Sequence, residues 1–243
     1  MSLPITNLDI LPLIDLTSLN QTDSYQSINE FVSKANSGFH DIFPASVCVY
    51  PKYASLLNEK LNSNIKKCVV STYFPSSQAS TEQKINEIKN LDRIDIDEID
   101  IVLPIGEFLD GNEDEVLNEL ILIRNATSKT LKLILETGVL KSTENIERAG
   151  LLGIKSGMDF LKTSTGKAKI GATIEAAECL ANLINQSKND LKKPIGIKVA
   201  GGIRTKQDAE IYINNVAKIL GQDFIHPKTF RIGASSLYNQ LID

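Results

Sequence analysis

A chain of 243 residues with 42% hydrophobic and 23% charged side chains has the composition of a soluble globular protein and the length of one barrel-sized domain. Its formal net charge of -4 argues against nucleic acid as the main partner, and no apolar run approaches the roughly 18 residues of a membrane helix, so no membrane partner is expected. Two histidines rule out a histidine-rich metal centre, and three cysteines without a C-x-x-C pair disfavour a disulfide framework or structural zinc site.

Short apolar or β-branched runs mark strands. In chain order they are residues 10–15, 42–49, 67–73, 98–103, 131–136, 159–162, 195–199 and 230–233. Their starts lie 25 to 36 residues apart, room for one strand, one helix and two turns. Helical patterns fill most gaps. Residues 80–91 open with Ser80-x-x-Gln83, the capping-box pattern. Residues 113–126 carry Val116, Leu117, Leu120, Ile121 and Ile123 as an apolar face. Residues 172–185 and 205–220 read the same way, with Thr205 and Asp208 suited to a helix start. Strands alternating with helices imply parallel pairing. Eight units predict one α/β domain over residues 1–243, a (β/α)8 TIM barrel. The opening Met1-Ser2-Leu3-Pro4 lacks a basic and apolar leader pattern, so cytoplasm is the default location.

In such barrels the chemistry sits at the carboxyl ends of the strands. The sixth run ends on Lys162 and continues Thr163-Ser164-Thr165-Gly166-Lys167; the seventh carries Lys198 before Val199-Ala200-Gly201-Gly202. Neighbouring strands lie about 4.8 Å apart, so two inward lysines share one small space. Like charge then predicts that at least one of them loses its proton more readily than an ordinary lysine, which activates an amine toward an aldehyde. The residues alone leave open a pair of solvated lysines near loop ends. Asp100 stands inside an apolar run, where a carboxylate needs a partner. It reads as a proton relay for the lysines or as a structural ion pair. Glu136 and Asp15 read as groups behind the site or as binders of a substrate hydroxyl. Small-residue loops follow the last two runs, Ala200-Gly201-Gly202 and Gly233-Ala234-Ser235-Ser236, and suit a phosphate, with Lys167 as a counter-charge. Cys48 reads first as a small core residue and second as a thiol that reactive enals alkylate. His40 and His226 receive no role.

These segments carry a family resemblance. Residues 13–20, 47–51, 98–102, 133–138, 160–167, 198–205 and 231–237 resemble the deoxyribose-phosphate aldolases almost end to end. Lys-Thr-Ser-Thr-Gly and Gly-Gly-Ile-Arg-Thr are specific when found together in this order. The resemblance implies a class I, aldehyde-lyase reaction: 2-deoxy-D-ribose 5-phosphate gives D-glyceraldehyde 3-phosphate and acetaldehyde. It implies Lys162 as the Schiff-base lysine, Lys198 as the lysine beside it, and Asp100 as proton donor and acceptor. It further implies Gly201, Gly202, Gly233, Ser235, Ser236 and Lys167 at the phosphate, with Asp15 and Thr17 lining the substrate site. No cofactor and no metal are implied; the partners are the small sugar phosphate and acetaldehyde, and a homodimer is plausible. Two departures stand out. Phe74-Pro75-Ser76-Ser77 has serine where the family often has glycine, and the chain closes at Asp243 without the tyrosine-ended tail of some relatives, which predicts slower proton exchange. The alternatives are another Schiff-base sugar-phosphate aldolase, a transaldolase-like barrel, or a non-catalytic sugar-phosphate-binding barrel. A metal-dependent class II aldolase is disfavoured by the histidine count.

Overall fold

The computed structural model describes residues 5–189 and 193–242; the leader reading of Met1–Pro4 and the chain end at Asp243 lie outside them. Eight parallel strands close into a barrel in chain order, β1 next to β8. They are β1 (Ile14–Thr17), β2 (Ser46–Val49), β3 (Lys66–Val70), β4 (Glu98–Val102), β5 (Thr130–Ile134), β6 (Phe160–Lys162), β7 (Gly196–Ala200) and β8 (Phe230–Ala234). Helices follow the strands and cover the sheet, so this is the predicted (β/α)8 TIM barrel in one domain.

Alternation along each strand sorts the side chains onto two faces. Ile99, Ile101, Leu131, Leu133, Leu161, Ile197 and Val199 belong to the continuous apolar core between sheet and helices. Fully burying each such side chain contributes about 1.5–3 kcal/mol. The intervening residues Glu98, Asp100, Lys132, Lys162 and Lys198 turn into the barrel. Lys132 on β5 meets Asp15 on β1 at 2.8 Å, a contact across the barrel interior.

Local chemistry explains the helix starts. The Ser80 hydroxyl accepts from the Gln83 N–H and the Gln83 side chain accepts from the Ser80 N–H, so the capping box opens the helix Thr81–Asp92. Thr205 and Asp208 do the same for Lys206–Leu220. Thr173 caps Ile174–Ser187, which begins two residues later than the expected 172. The helix Glu113–Asn125 buries Val116, Leu120 and Ile123, but Ile121 of the expected apolar face is exposed.

Several strands are shorter than the apolar runs that mark them, for physical reasons. Ile10–Leu13 is not strand: Thr6 and Asp9 form a capping box for a short helix Asn7–Ile10, and Leu11–Leu13 is a 3-10 turn with Pro12 at its start. Residues 42–45 precede β2, where Ile42 pairs only with Phe39 in an isolated bridge. β3 stops at Val70 because Thr72 and Tyr73 take left-handed backbone angles, with φ 55° and 56°. Residues 135–136 follow β5, and Glu136 has φ 55°.

Candidate active site

The registry of the barrel brings the predicted residues together. β6 and β7 pair with Lys162 opposite Lys198, and β4 and β5 pair with Asp100 opposite Lys132. One oxygen of Asp100, Oδ2, accepts from both Lys162 Nζ at 2.6 Å and Lys198 Nζ at 2.7 Å. Lys198 Nζ also meets Asp15 Oδ2 at 2.7 Å. The other Asp100 oxygen faces the Cys68 thiol at 3.3 Å and Lys132 Nζ at 3.4 Å.

Below this trio lies a second tier of buried charge. Lys132 Nζ donates to Glu98 Oε2 at 2.5 Å, and Arg231 donates to Asp15 Oδ1 at 2.5 Å and to Glu98 Oε1 at 2.9 Å. Asp15, Asp100, Lys132 and Lys198 are fully buried. Buried charges of this kind survive only when paired, and here every carboxylate has at least two cationic partners. Lys132, Glu98 and Arg231 were not recognised as members of the site. The signal existed for Lys132: it interrupts Leu131 and Leu133 just as Asp100 interrupts Ile99 and Ile101.

Of the two lysines, Lys198 is not the one whose proton is eased off. Burial alone would ease the Lys198 proton off, but Asp100 and Asp15 outweigh it and hold Lys198 charged well above the ordinary lysine range. Burial likewise works against the Asp100 carboxylate, yet Lys162, Lys198 and Lys132 overcome it and hold Asp100 ionised far below the usual carboxylate range. The two lysines are separated by a shared carboxylate, so their mutual repulsion does not set the outcome at Lys198.

Above the cluster opens a cavity of about 220 Å³. Lys162 forms part of its wall, with Thr17 and Lys167. Gly201, Gly202, Gly233, Ser235 and Ser236 line it from the ends of β7 and β8. Asp15, Asp100 and Lys198 do not line it; they sit beneath Lys162. The glycines have distinct reasons. Gly201 has φ 92°, and a Cβ there would lie 2.5 Å from Ser164 Oγ. A Cβ on Gly233 would press on Ala200 Cβ at 2.9 Å and on Lys198 Cε at 3.1 Å, so this glycine makes room for the buried lysine. Lys167 reaches across the cavity to donate to the Leu19 carbonyl at 2.5 Å. Arg204, to which the sequence alone assigns no role, also lines the cavity as an exposed cation at its rim.

Cys48 is fully buried beside Asp100, with Sγ 4.0 Å from Oδ2, and it does not line the cavity. His40 and His226 are exposed. Ser77 keeps the left-handed angle that glycine favours, with φ 57°, and its hydroxyl donates to the Val102 carbonyl at 3.1 Å. Tyr238 is buried, its hydroxyl on the Lys34 carbonyl at 3.3 Å. Among the described residues no helix is long and apolar enough to cross a membrane.

An amine at a cavity wall, with a carboxylate behind it and small-residue loops around it, is an arrangement compatible with carbonyl chemistry. The chain belongs to the DeoC/LacD family aldolases, whose family model matches residues 10–240. Its function is that of an aldolase. It is similar to a solved structure described as QR15, an aldolase, at 30% identity, covering 96% of this chain and 95% of that one with a TM-score of 0.79. It is also similar to a protein assigned as a deoxyribose-phosphate aldolase from Coccidioides immitis, at 25% identity, 99% and 88% coverage and a TM-score of 0.82. The fold is shared with a tetrameric deoxyribose phosphate aldolase from Aeropyrum pernix, at 21% identity, 98% and 91% coverage and a TM-score of 0.74.

Proposed function

We propose that the protein cleaves 2-deoxy-D-ribose 5-phosphate to D-glyceraldehyde 3-phosphate and acetaldehyde, reversibly, through a Schiff base on Lys162. The observation that carries this reading is the position of Lys162. Among the described residues it is the one lysine of the buried cluster that also lines the cavity, and Asp100 is its single carboxylate partner there, at 2.6 Å. Lys198 and Lys132 are each held by at least two carboxylates and stay charged.

The chemistry follows from that arrangement. Lys162 gives up a proton to solvent by way of Asp100, its hydrogen-bond partner, and attacks the aldehyde carbon of the open-chain sugar as a free amine. Loss of water from the adduct gives an iminium ion, an electron sink for the next step. A base removes the proton of the sugar's 3-hydroxyl, the bond between the second and third carbons breaks, and its electron pair enters the iminium to give an enamine. Asp100 and Lys198, 2.7 Å apart, are the groups placed to relay that proton, through a water that reaches past Lys162. D-Glyceraldehyde 3-phosphate leaves, the enamine takes a proton at its terminal carbon, and water releases acetaldehyde from Lys162. The phosphate end lies against Gly201, Gly202, Gly233, Ser235 and Ser236, with Lys167 as the counter-charge and Thr17 on the opposite wall. Binding of this remote group positions the reacting carbons. Asp15 acts from below, by holding Lys198. The reading takes the cytoplasm, where a sugar phosphate formed inside the cell is retained, as the place of the reaction.

The test is a substrate panel with the two products assayed separately. The reading requires glyceraldehyde 3-phosphate and acetaldehyde in equal amounts from 2-deoxyribose 5-phosphate, unaffected by chelator. Turnover that needs dihydroxyacetone as the donor, with none on the deoxy sugar, would transfer the protein to a transaldolase-like chemistry.

A further inference from the structure

Glu136 combines two unfavourable features at one residue. Its backbone is left-handed, with φ 55° and ψ 56°, a region that side chains other than glycine, asparagine and aspartate rarely enter. Its side chain is a buried carboxylate that has no lysine or arginine within ion-pair distance among the described residues. Burial pushes this carboxyl up from the usual range, against the hydrogen bonds from Thr165 and the charge of Lys162. A carboxylate kept under those conditions needs a purpose that packing alone does not supply.

Its donors identify one. The Thr165 N–H lies 3.3 Å from both Glu136 oxygens, and the Thr165 hydroxyl donates to Oε2 in a short contact. That same hydroxyl oxygen accepts the backbone N–H of Lys167 at 3.0 Å. A carboxylate accepts and cannot donate, so it fixes which way the Thr165 hydrogen points. The hydroxyl lone pair is thereby aimed at the Lys167 N–H. Ser164, one residue earlier, is tied to the other side by its hydroxyl on the Ala200 carbonyl at 2.6 Å. The stretch from Ser164 to Lys167 is thus held from β7 through Ser164 and from the loop after β5 through Glu136.

We propose that Glu136 is a positioning residue for the phosphate group of the substrate: through the Thr165 hydroxyl it sets the backbone from which Lys167 reaches over the cavity. This rests on the reading of Lys167 as the phosphate counter-charge. Glu136 does not line the cavity and touches no reacting atom, so its effect travels through the loop.

A double-mutant cycle tests it, with inorganic phosphate as the probe and calorimetry as the readout, so that no turnover is needed. The single variants Glu136→Gln and Lys167→Met each weaken phosphate binding about tenfold, and the double variant binds no more weakly than Lys167→Met alone. In parallel, Glu136→Gln raises KM for 2-deoxyribose 5-phosphate by a similar factor, with kcat within about threefold, and leaves kcat/KM for unphosphorylated 2-deoxyribose within about twofold. Should Glu136→Gln fail to fold, Thr165→Val takes its place in the same cycle, with the same coupling expected. Additive losses in the cycle, or an equal fall in kcat/KM on both sugars, would overturn the proposal. Phosphate binding that follows the cycle in a protein unable to cleave the phosphorylated sugar would overturn the proposed function and leave this inference standing.

Discussion

The two faces of the barrel wall follow opposite rules. Outward, Ile99, Ile101, Leu131, Leu133, Leu161, Ile197 and Val199 make an apolar layer against the helices. Inward, the residues between them are Asp100, Lys132, Lys162 and Lys198, joined by Asp15, Glu98 and Arg231 into a charged interior. The outer layer stabilises the fold through burial, which is non-directional and tolerant of exchange. The inner layer is directional. Each charge there is acceptable only because particular partners stand within hydrogen-bond reach, and a single loss leaves another group buried and unpaired. The difference teaches where stability and chemistry are separable in this protein: the same β-strand supplies one to each side.

Three substitutions sharpen this contrast. Lys132→Met strips a cation shared by Asp15, Glu98 and Asp100, and the account predicts a loss of about 3–5 kcal/mol in urea unfolding. A loss under about 1 kcal/mol would show the interior charges to be individually dispensable. On the outer face, Leu133 packs toward Gly153 of the helix Thr143–Lys155, close enough that a Cβ on Gly153 would lie 3.0 Å from Leu133 Cδ2. Leu133→Ala is expected to cost about 2–5 kcal/mol through the cavity it leaves, with kcat within about twofold of wild type at a temperature where the variant is folded. A collapse of kcat in that folded variant would erase the distinction between the faces. The smallest effect is expected in the loop after β3, for Ser77→Gly. Relief of the left-handed backbone, about 1–2 kcal/mol, opposes loss of the Ser77–Val102 hydrogen bond, about 1 kcal/mol. Thermal unfolding should shift by no more than a few degrees, whereas a large drop would assign the hydroxyl a greater part in closing the end of β4.

The outer layer was easier to read from the sequence than the inner one. Apolar runs located all eight strands, because burial on the helix side requires them whatever the chemistry inside. The run at residues 10–13 misled because apolar character alone does not separate a short helix and 3-10 turn from a strand; Thr6-x-x-Asp9 and Pro12 were the local signals that did. Within the barrel, Lys162, Lys198 and Asp100 stood out at strand ends or inside apolar runs. Lys132 carries the same mark, a lone charge between Leu131 and Leu133. The charge state of Lys198 was not legible at all. It depends on Asp100 together with Asp15, and Asp15 lies 183 positions away in the chain and reaches Lys198 only once β1 and β7 face the same interior. Nor could the sequence tell that Gly233 spares space for Lys198 as well as lining the cavity, because that is a contact between β7 and β8.

The central claim is that one lysine, Lys162, forms the covalent intermediate while its neighbours stay charged. Borohydride reduction in the presence of acetaldehyde, followed by peptide mass spectrometry, tests this most directly on wild type and Lys162→Ala. The account predicts a reduced two-carbon adduct on Lys162 in wild type, none within the barrel of the variant, and a fall in turnover of at least about a thousandfold. An adduct on Lys198 or Lys132, or trapping in Lys162→Ala equal to wild type, would contradict it.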